Sequence, residues 1–254
     1  MNTEQHNQKV VKQFGSKANG YLTSSVHAQG EDLAALVEIV GLNHEARVLD
    51  LGCGAGHVAF NLAPLVNEVV AYDLSEDMLA VVAQEAKRRD LANIKTQIGA
   101  VECLPYADAS FDWVVTRLSA HHWLNVAGGL SEIYRVLKPN GFAVIIDLLS
   151  PGVFLLDTWL QTIELLRDTS HVRNLSLAEW HALVAAAGLK VLRVNTFRRR
   201  LEFASWVGRM QAPEHYVMAI RSLQQCASAE VAKYFAFEPD GSFTSDTVLL
   251  LASK

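Results

Sequence analysis

Hydrophobic and polar positions along this chain fall into two alternating kinds of block. Short apolar runs at 47–51, 68–73, 94–98, 110–116, 142–147, 189–197 and 243–251 read as seven strands. Between them, 58–63, 76–90, 125–137, 177–187 and a stretch from Ser150 to about Arg167 place apolar residues every three or four positions, as helices do. Ser75 is placed to cap the helix that Glu76 and Asp77 open, and Ser176 with Glu179 forms a capping box. Residues 203–236 add short amphipathic helices, with Pro213 and Ser228 at their starts. Ahead of the first strand, Val26, Leu33, Leu36, Val37 and Val40 share one helical face, and Gly41 suits its C-terminal stop. Strands alternating with helices predict an α/β protein with a doubly wound, seven-stranded, mostly parallel sheet. No internal repeat or linker divides the chain, so a single domain over 1–254 is expected.

Composition narrows the class. Half of the 254 residues are hydrophobic, 19% are charged and the net charge is −5, which excludes a disordered segment. That charge also argues against a nucleic-acid partner; Arg198-Arg199-Arg200 is a local basic patch against an acidic background. The polar opening MNTEQHNQKVVKQF lacks an apolar signal core, and no run of about 18 apolar residues exists to span a membrane. Cys53, Cys103 and Cys226 lack metal-ligand spacing, so a reducing, cytoplasmic setting without a metal is expected.

The chemistry concentrates in Val48-Leu49-Asp50-Leu51-Gly52-Cys53-Gly54-Ala55-Gly56-His57. A strand runs into a loop with Gly at every second position, then into a helix whose first N–H groups face whatever fills the turn. The spacing is G-x-G-x-G, not the G-x-G-x-x-G of dinucleotide sites, and Asp50 precedes the first Gly by two residues. Asp73 closes the second strand about 20 residues on, where a carboxylate accepts from ribose hydroxyls.

With these features the stretch resembles motif (V/L)-L-D-(L/V)-G-C-G-x-G of the class I S-adenosylmethionine (SAM)-dependent methyltransferases. Gly99 to Pro105 resembles that family's G-D-A-x-x-L-P motif, with Ala100 in place of the usual Asp. Ser110-Phe111-Asp112 and Arg135-Val136-Leu137-Lys138-Pro139-Asn140-Gly141 are similar to its S-F-D and R-V-L-K-P-G-G strings, the latter a turn into the fifth strand. Within the family, the small-molecule branch resembling ubiquinone/menaquinone C-methyltransferases (UbiE-like) is the nearest pattern. The resemblance implies a Rossmann-like fold whose seventh strand inserts antiparallel between the fifth and sixth. It implies SAM as cofactor, S-adenosylhomocysteine as product and a small-molecule acceptor. It also implies an N-terminal lid (1–45, with Phe14, Ala18, Tyr21 and Gln29), a SAM-binding core (46–150), and lid helices with the last two strands (151–254). Cofactor contacts carry over to Asp50, Gly52, Gly54, Gly56, Asp73, Leu74, Ala100 and Val101, with Glu102, Arg117 and Tyr21 beside them. Alternatives are a malonyl-carrier-protein O-methyltransferase, a non-catalytic SAM-binding protein and a nicotinamide oxidoreductase.

Where a carbon or oxygen nucleophile must give up a proton near pH 7, His is the natural base, and whether one is needed is not written in the sequence. His122 follows the fourth strand, and His171 and Arg173 sit in the polar string Asp168–Asn174 between two helices. These three are expected to converge on an acceptor pocket, Arg173 engaging an anionic or carbonyl oxygen; Asp147, at the end of the fifth strand, is a weaker base candidate. The acceptor and the oligomeric state are not written in the sequence.

Overall fold

A computed structural model describes residues 2–22 and 30–254. Its seven strands are β1 (Asn43–Leu51), β2 (Val66–Asp73), β3 (Ile94–Ile98), β4 (Phe111–Arg117), β5 (Leu137–Leu149), β6 (Lys190–Leu201) and β7 (Phe243–Ser253). They form one sheet in the order β3-β2-β1-β4-β5-β7-β6. β1 to β5 pair in parallel, and β7 lies antiparallel between β5 and β6. The chain builds outward from β1 through β2 to β3, then returns to lay β4 on the other side of β1. The topological switch therefore falls between β1 and β4, where open α/β sheets bind ligands beyond the carboxyl ends of their strands.

Successive strand residues enter opposite layers of core. Leu49, Leu51, Val70, Tyr72, Val114 and Ile145 pack on one face, against α6 (Val126–Val136) and α8 (Leu177–Ala186). Val48, Val69, Ala71, Val115, Val144 and Ile146 pack on the other, against α3 (Glu31–Val40), α4 (His57–Leu62) and α5 (Glu76–Arg88). A slip of one residue in β1 would exchange the two sets, each buried aliphatic being worth about 1.5–3 kcal/mol. That cost fixes the register and, with it, where each strand ends.

Two helical groups cover the carboxyl edge. α1 (Thr3–Phe14) and α2 (Ala18–Leu22) bring Phe14, Ala18 and Tyr21 onto Ala55 and Met78, above the Gly loop. On the other side, α7 (Phe154–Arg167), α9 (Phe203–Met210), α10 (Glu214–Gln225) and α11 (Ala229–Tyr234) share a core of Leu156, Trp159, Trp206, Ile220 and Phe243. Val26 and Gln29 of the expected N-terminal pattern lie outside the described residues; α3 begins at Glu31 and stops at Gly41, whose φ is +61°. Ser75, Ser176 and Ser228 all cap helices as their positions predict.

The largest departure from the sequence pattern is in β5. Its pairing starts at Leu137, so Lys138-Pro139-Asn140-Gly141 is a bulge within the strand, where the register jumps from Leu137 to Phe142. Asn140 adopts φ +63° there, so the turn residues do their work without ending the strand. The basic run is also not a free patch: Arg198 pairs with Asp246, Arg199 with Asp32, and Arg200 with Glu238. Among the described residues no helix is long and apolar enough to cross a membrane.

Candidate active site

The Gly loop leaves β1 with Gly52, Gly54 and Gly56 all at positive φ (+71°, +50° and +87°), but each for a different reason. A Cβ on Gly52 would come within 2.0 Å of Ser119 Oγ, so backbone and the segment after β4 approach there as only Gly permits. A Cβ on Gly56 would strike Val82 and Phe60, which makes that Gly a packing residue between loop and α5. A Cβ on Gly54 would meet nothing within 4 Å. Gly54 therefore borders open space.

That space is a cavity over the carboxyl ends of β1, β2 and β4. Asp50, Gly52, Gly54, Asp73, Leu74, Val101, Glu102, Arg117 and Tyr21 line it, so nine of the eleven expected cofactor residues meet in one place. Gly56 and Ala100 do not. Ala100 instead offers its carbonyl to the Tyr72 hydroxyl at 3.1 Å, which buttresses the cavity floor from behind.

The two acids have distinct settings. Asp73 accepts from Gly54 N–H at 2.8 Å through Oδ2 and from Ser75 N–H at 2.9 Å through Oδ1, tying loop to strand end. Burial raises its pKa and those N–H donors oppose the rise. Asp50 is 1% exposed; Oδ2 accepts from Ala59 N–H at 3.1 Å, and among the described residues Oδ1 has no hydrogen-bond partner. Burial and the charge of Asp73 push its carboxyl up to about 7, against the Ala59 donor. Arg117 lines the cavity with its Nε on Asp32 Oδ2 at 2.7 Å. Tyr21 of α2 is held over the cavity by contacts the sequence pattern did not reveal: His57 Nε2–H donates to the Tyr21 carbonyl at 3.0 Å, and the Tyr21 hydroxyl to Met210 Sδ at 2.8 Å.

A second cavity adjoins the first. Phe14, Tyr21, Leu118 and His122 line both and form the wall between them. The expected convergence of His122, His171 and Arg173 is not what the fold produces. His122 lines both cavities, its Nδ1–H donating to the Ser170 carbonyl at 3.2 Å and its ring edge-on to Phe14. Burial and the neighbouring His121 lower its pKa to about 4. His171 is 7% exposed, lines neither cavity, and donates from Nε2 to Gln161 at 2.9 Å; burial and the adjacent imidazoles take it down to about 3. Arg173 points away, bound to Asp157 and Glu179, each at 3.1 Å. The string Asp168–Asn174 is not a solvated loop: Asp168, Ser170, His171 and Asn174 are buried, and Val172 and Arg173 donate their backbone N–H to the His121 carbonyl.

The residue that sequence reasoning passed over is His121. It lines the second cavity, and Asp147 accepts from its Nδ1–H at 2.5 Å and from its backbone N–H at 3.0 Å. Burial works to lower its pKa, but the Asp147 charge and hydrogen bond raise it above the usual value. The signal was present as a His pair after the fourth strand and an Asp ending the fifth. What was missing was the pairing of Arg117 with Ile146, which sets those two ends side by side.

Residues 49–145 match a family model described as a methyltransferase domain. The chain is 51% identical over 203 residues to the uncharacterised protein YafE of Escherichia coli K12, covering 80% of this chain and 98% of that one. It is 35% identical over 200 residues to the uncharacterised methyltransferase YcgJ of Bacillus subtilis 168, covering 79% of each. The crystal structure of YcgJ superposes with a TM-score of 0.84 at 32% identity, over 88% of this chain and 97% of that one. A demethylmenaquinone methyltransferase of Chlorobaculum parvum is 36% identical over 108 residues, 42% of this chain and 43% of that protein.

Proposed function

The chain belongs to the class I SAM-dependent methyltransferases, and from that premise we propose that it methylates an oxygen or carbon of a small-molecule acceptor with His121 as general base. One observation carries the reading. A Gly-loop cavity and a second, His-lined cavity meet across the shared wall of Phe14, Tyr21, Leu118 and His122.

The residues of the first cavity fit the cofactor. Open space beside Gly54 is the cradle that a Cβ would fill, and Asp73 presents a carboxylate at the end of β2 suited to the ribose hydroxyls. Leu74 and Val101 supply apolar surface for the base, and Glu102 stands beside them where the missing Asp at position 100 leaves an acceptor wanting. When bound, SAM supplies an electrophilic methyl group, so the protein's work is mainly to position the acceptor and take up a proton.

Asp147 fixes His121 as the tautomer with its proton on Nδ1, which leaves Nε2 to accept the acceptor's proton. Its raised pKa suits that task near pH 7 better than the value of about 4 at His122. His122 stays neutral and holds the wall between cavities. The Chlorobaculum parvum relative, by its name a methyltransferase of demethylmenaquinone, supports a small-molecule acceptor. Calorimetry with S-adenosylhomocysteine, followed by a screen of metabolite extracts for its production from SAM, tests the proposal. Absence of binding, or binding without turnover of any extract fraction, would overturn it.

A further inference from the structure

The second cavity carries a charge imbalance. Three guanidinium groups line it, those of Arg167, Arg199 and Arg209, against the single carboxylate of Asp168. Arg199 is held by Asp32 at 2.6 Å, and Arg167 donates to the Trp206 carbonyl at 2.9 Å and pairs with Glu164 at 3.3 Å. Asp168 accepts from the Ser170 N–H and hydroxyl through Oδ1, at 2.8 and 2.6 Å, and its Oδ2 lies 3.8 Å from His122 Nε2. Arg209 differs. Among the described residues it makes no ion pair, and its Nε has no hydrogen-bond partner. The hydroxyl of Ser245, a residue only 1% exposed on the same cavity, is likewise without one.

Resting on the methyl-transfer reading, we infer that this cavity is the acceptor pocket and selects an organic anion, its head held by Arg209 and Ser245 and its body against Leu148, Leu201 and Trp206. Two buried donors with no protein acceptor carry a desolvation cost that a bound carboxylate or phosphate removes. A guanidinium fork matches the oxygens of either head group. Burial and repulsion from Arg167 both disfavour the charge on Arg209, so an anion there restores the balance. His121 lines the same cavity, which puts the base within the chamber that holds the acceptor. The anionic recognition expected of Arg173 is thus carried by a different arginine, delivered by α9.

The test uses matched probes on the full chain saturated with S-adenosylhomocysteine: benzoate against benzamide, hexanoate against hexanamide, and phenyl phosphate against phenol. Saturation-transfer NMR and calorimetry should find at least one anion bound at least tenfold tighter than its neutral twin; the carboxylate and phosphate arms identify the head group. Arg209→Gln should weaken that anion at least tenfold, Arg209→Lys should recover part of the loss, and both should bind S-adenosylhomocysteine as the parent does. If Arg209→Gln melts early, Ser245→Ala gives the same readout, with a smaller loss. Neutral twins binding as tightly, no anion binding, or anion affinity unmoved by Arg209→Gln each overturn the pocket assignment alone. Failure of S-adenosylhomocysteine to bind overturns the methyl-transfer reading and this inference with it.

Discussion

Asp147 holds His121 at two points, accepting from ring Nδ1–H at 2.5 Å through one oxygen and from its backbone N–H at 3.0 Å through the other. A base acts in its neutral form, so turnover should fall as pH drops through the pKa of His121. Because Asp147 raises that pKa, the acid limb of the kcat profile should lie above 6.5. Asp147→Asn removes the charge and leaves burial to dominate, so the limb should move to lower pH while kcat falls by about 10²-fold or more. A profile unchanged in midpoint and height would remove His121 from the mechanism.

Asp73 both faces the cavity and anchors Gly54 and Ser75. Asp73→Ala should weaken S-adenosylhomocysteine binding by about 1.5–3 kcal/mol, the range for hydrogen bonds to a charged group. Calorimetry on a variant with native circular dichroism checks this; parent-like affinity would assign the carboxylate to loop structure only.

Gly54 and Gly56 should respond differently to the same added methyl group. Gly54→Ala places it in open cavity space, so the cofactor-free protein should lose only the strain of a left-handed residue, about 1–2 kcal/mol, while binding drops steeply. Gly56→Ala adds overpacking against Val82 at 2.8 Å and Phe60 at 2.9 Å, a further cost of about 1–3 kcal/mol in stability. Urea melts without ligand, paired with calorimetry, separate the two; equal stability losses would contradict it.

Arg173→Ala should leave kcat and KM unchanged once an acceptor is in hand. Its own side chain is 41% exposed, that of Glu179 is similarly open, and the half-buried Asp157 keeps its hydrogen bonds from Ser150 and Gln161, so the stability loss should stay within about 1 kcal/mol. A selective rise in KM for the acceptor would return Arg173 to the pocket.

Much of the Gly-loop cavity was legible because it depends on short-range constraints. Positive φ at Gly52 and Gly54 is a property of three or four consecutive residues, and Asp73 is placed by the end of the strand that carries it. The same locality made Gly56 ambiguous: its φ is as required, but only contact with Phe60 and Val82 shows that it serves packing. The caps at Ser75 and Ser176 were equally local, and equally readable.

The sequence alone thus determined the alternating fold, the Gly loop with its two acids, and the family pattern, because each is encoded by periodicity or by neighbours along the chain. Tertiary structure decided the second cavity. Which of two adjacent histidines meets Asp147 depends on a short 3₁₀ turn at Ala120–His122 and on the pairing of β4 with β5, neither of which has a period to read. Which arginine faces the cavity was settled by competition among distant carboxylates: Arg173 is drawn to Asp157 and Glu179, while α9, packed through Trp206 on Phe243, carries Arg209 inward. Contacts between segments far apart in the chain set those outcomes, and such contacts exist only once the chain has folded.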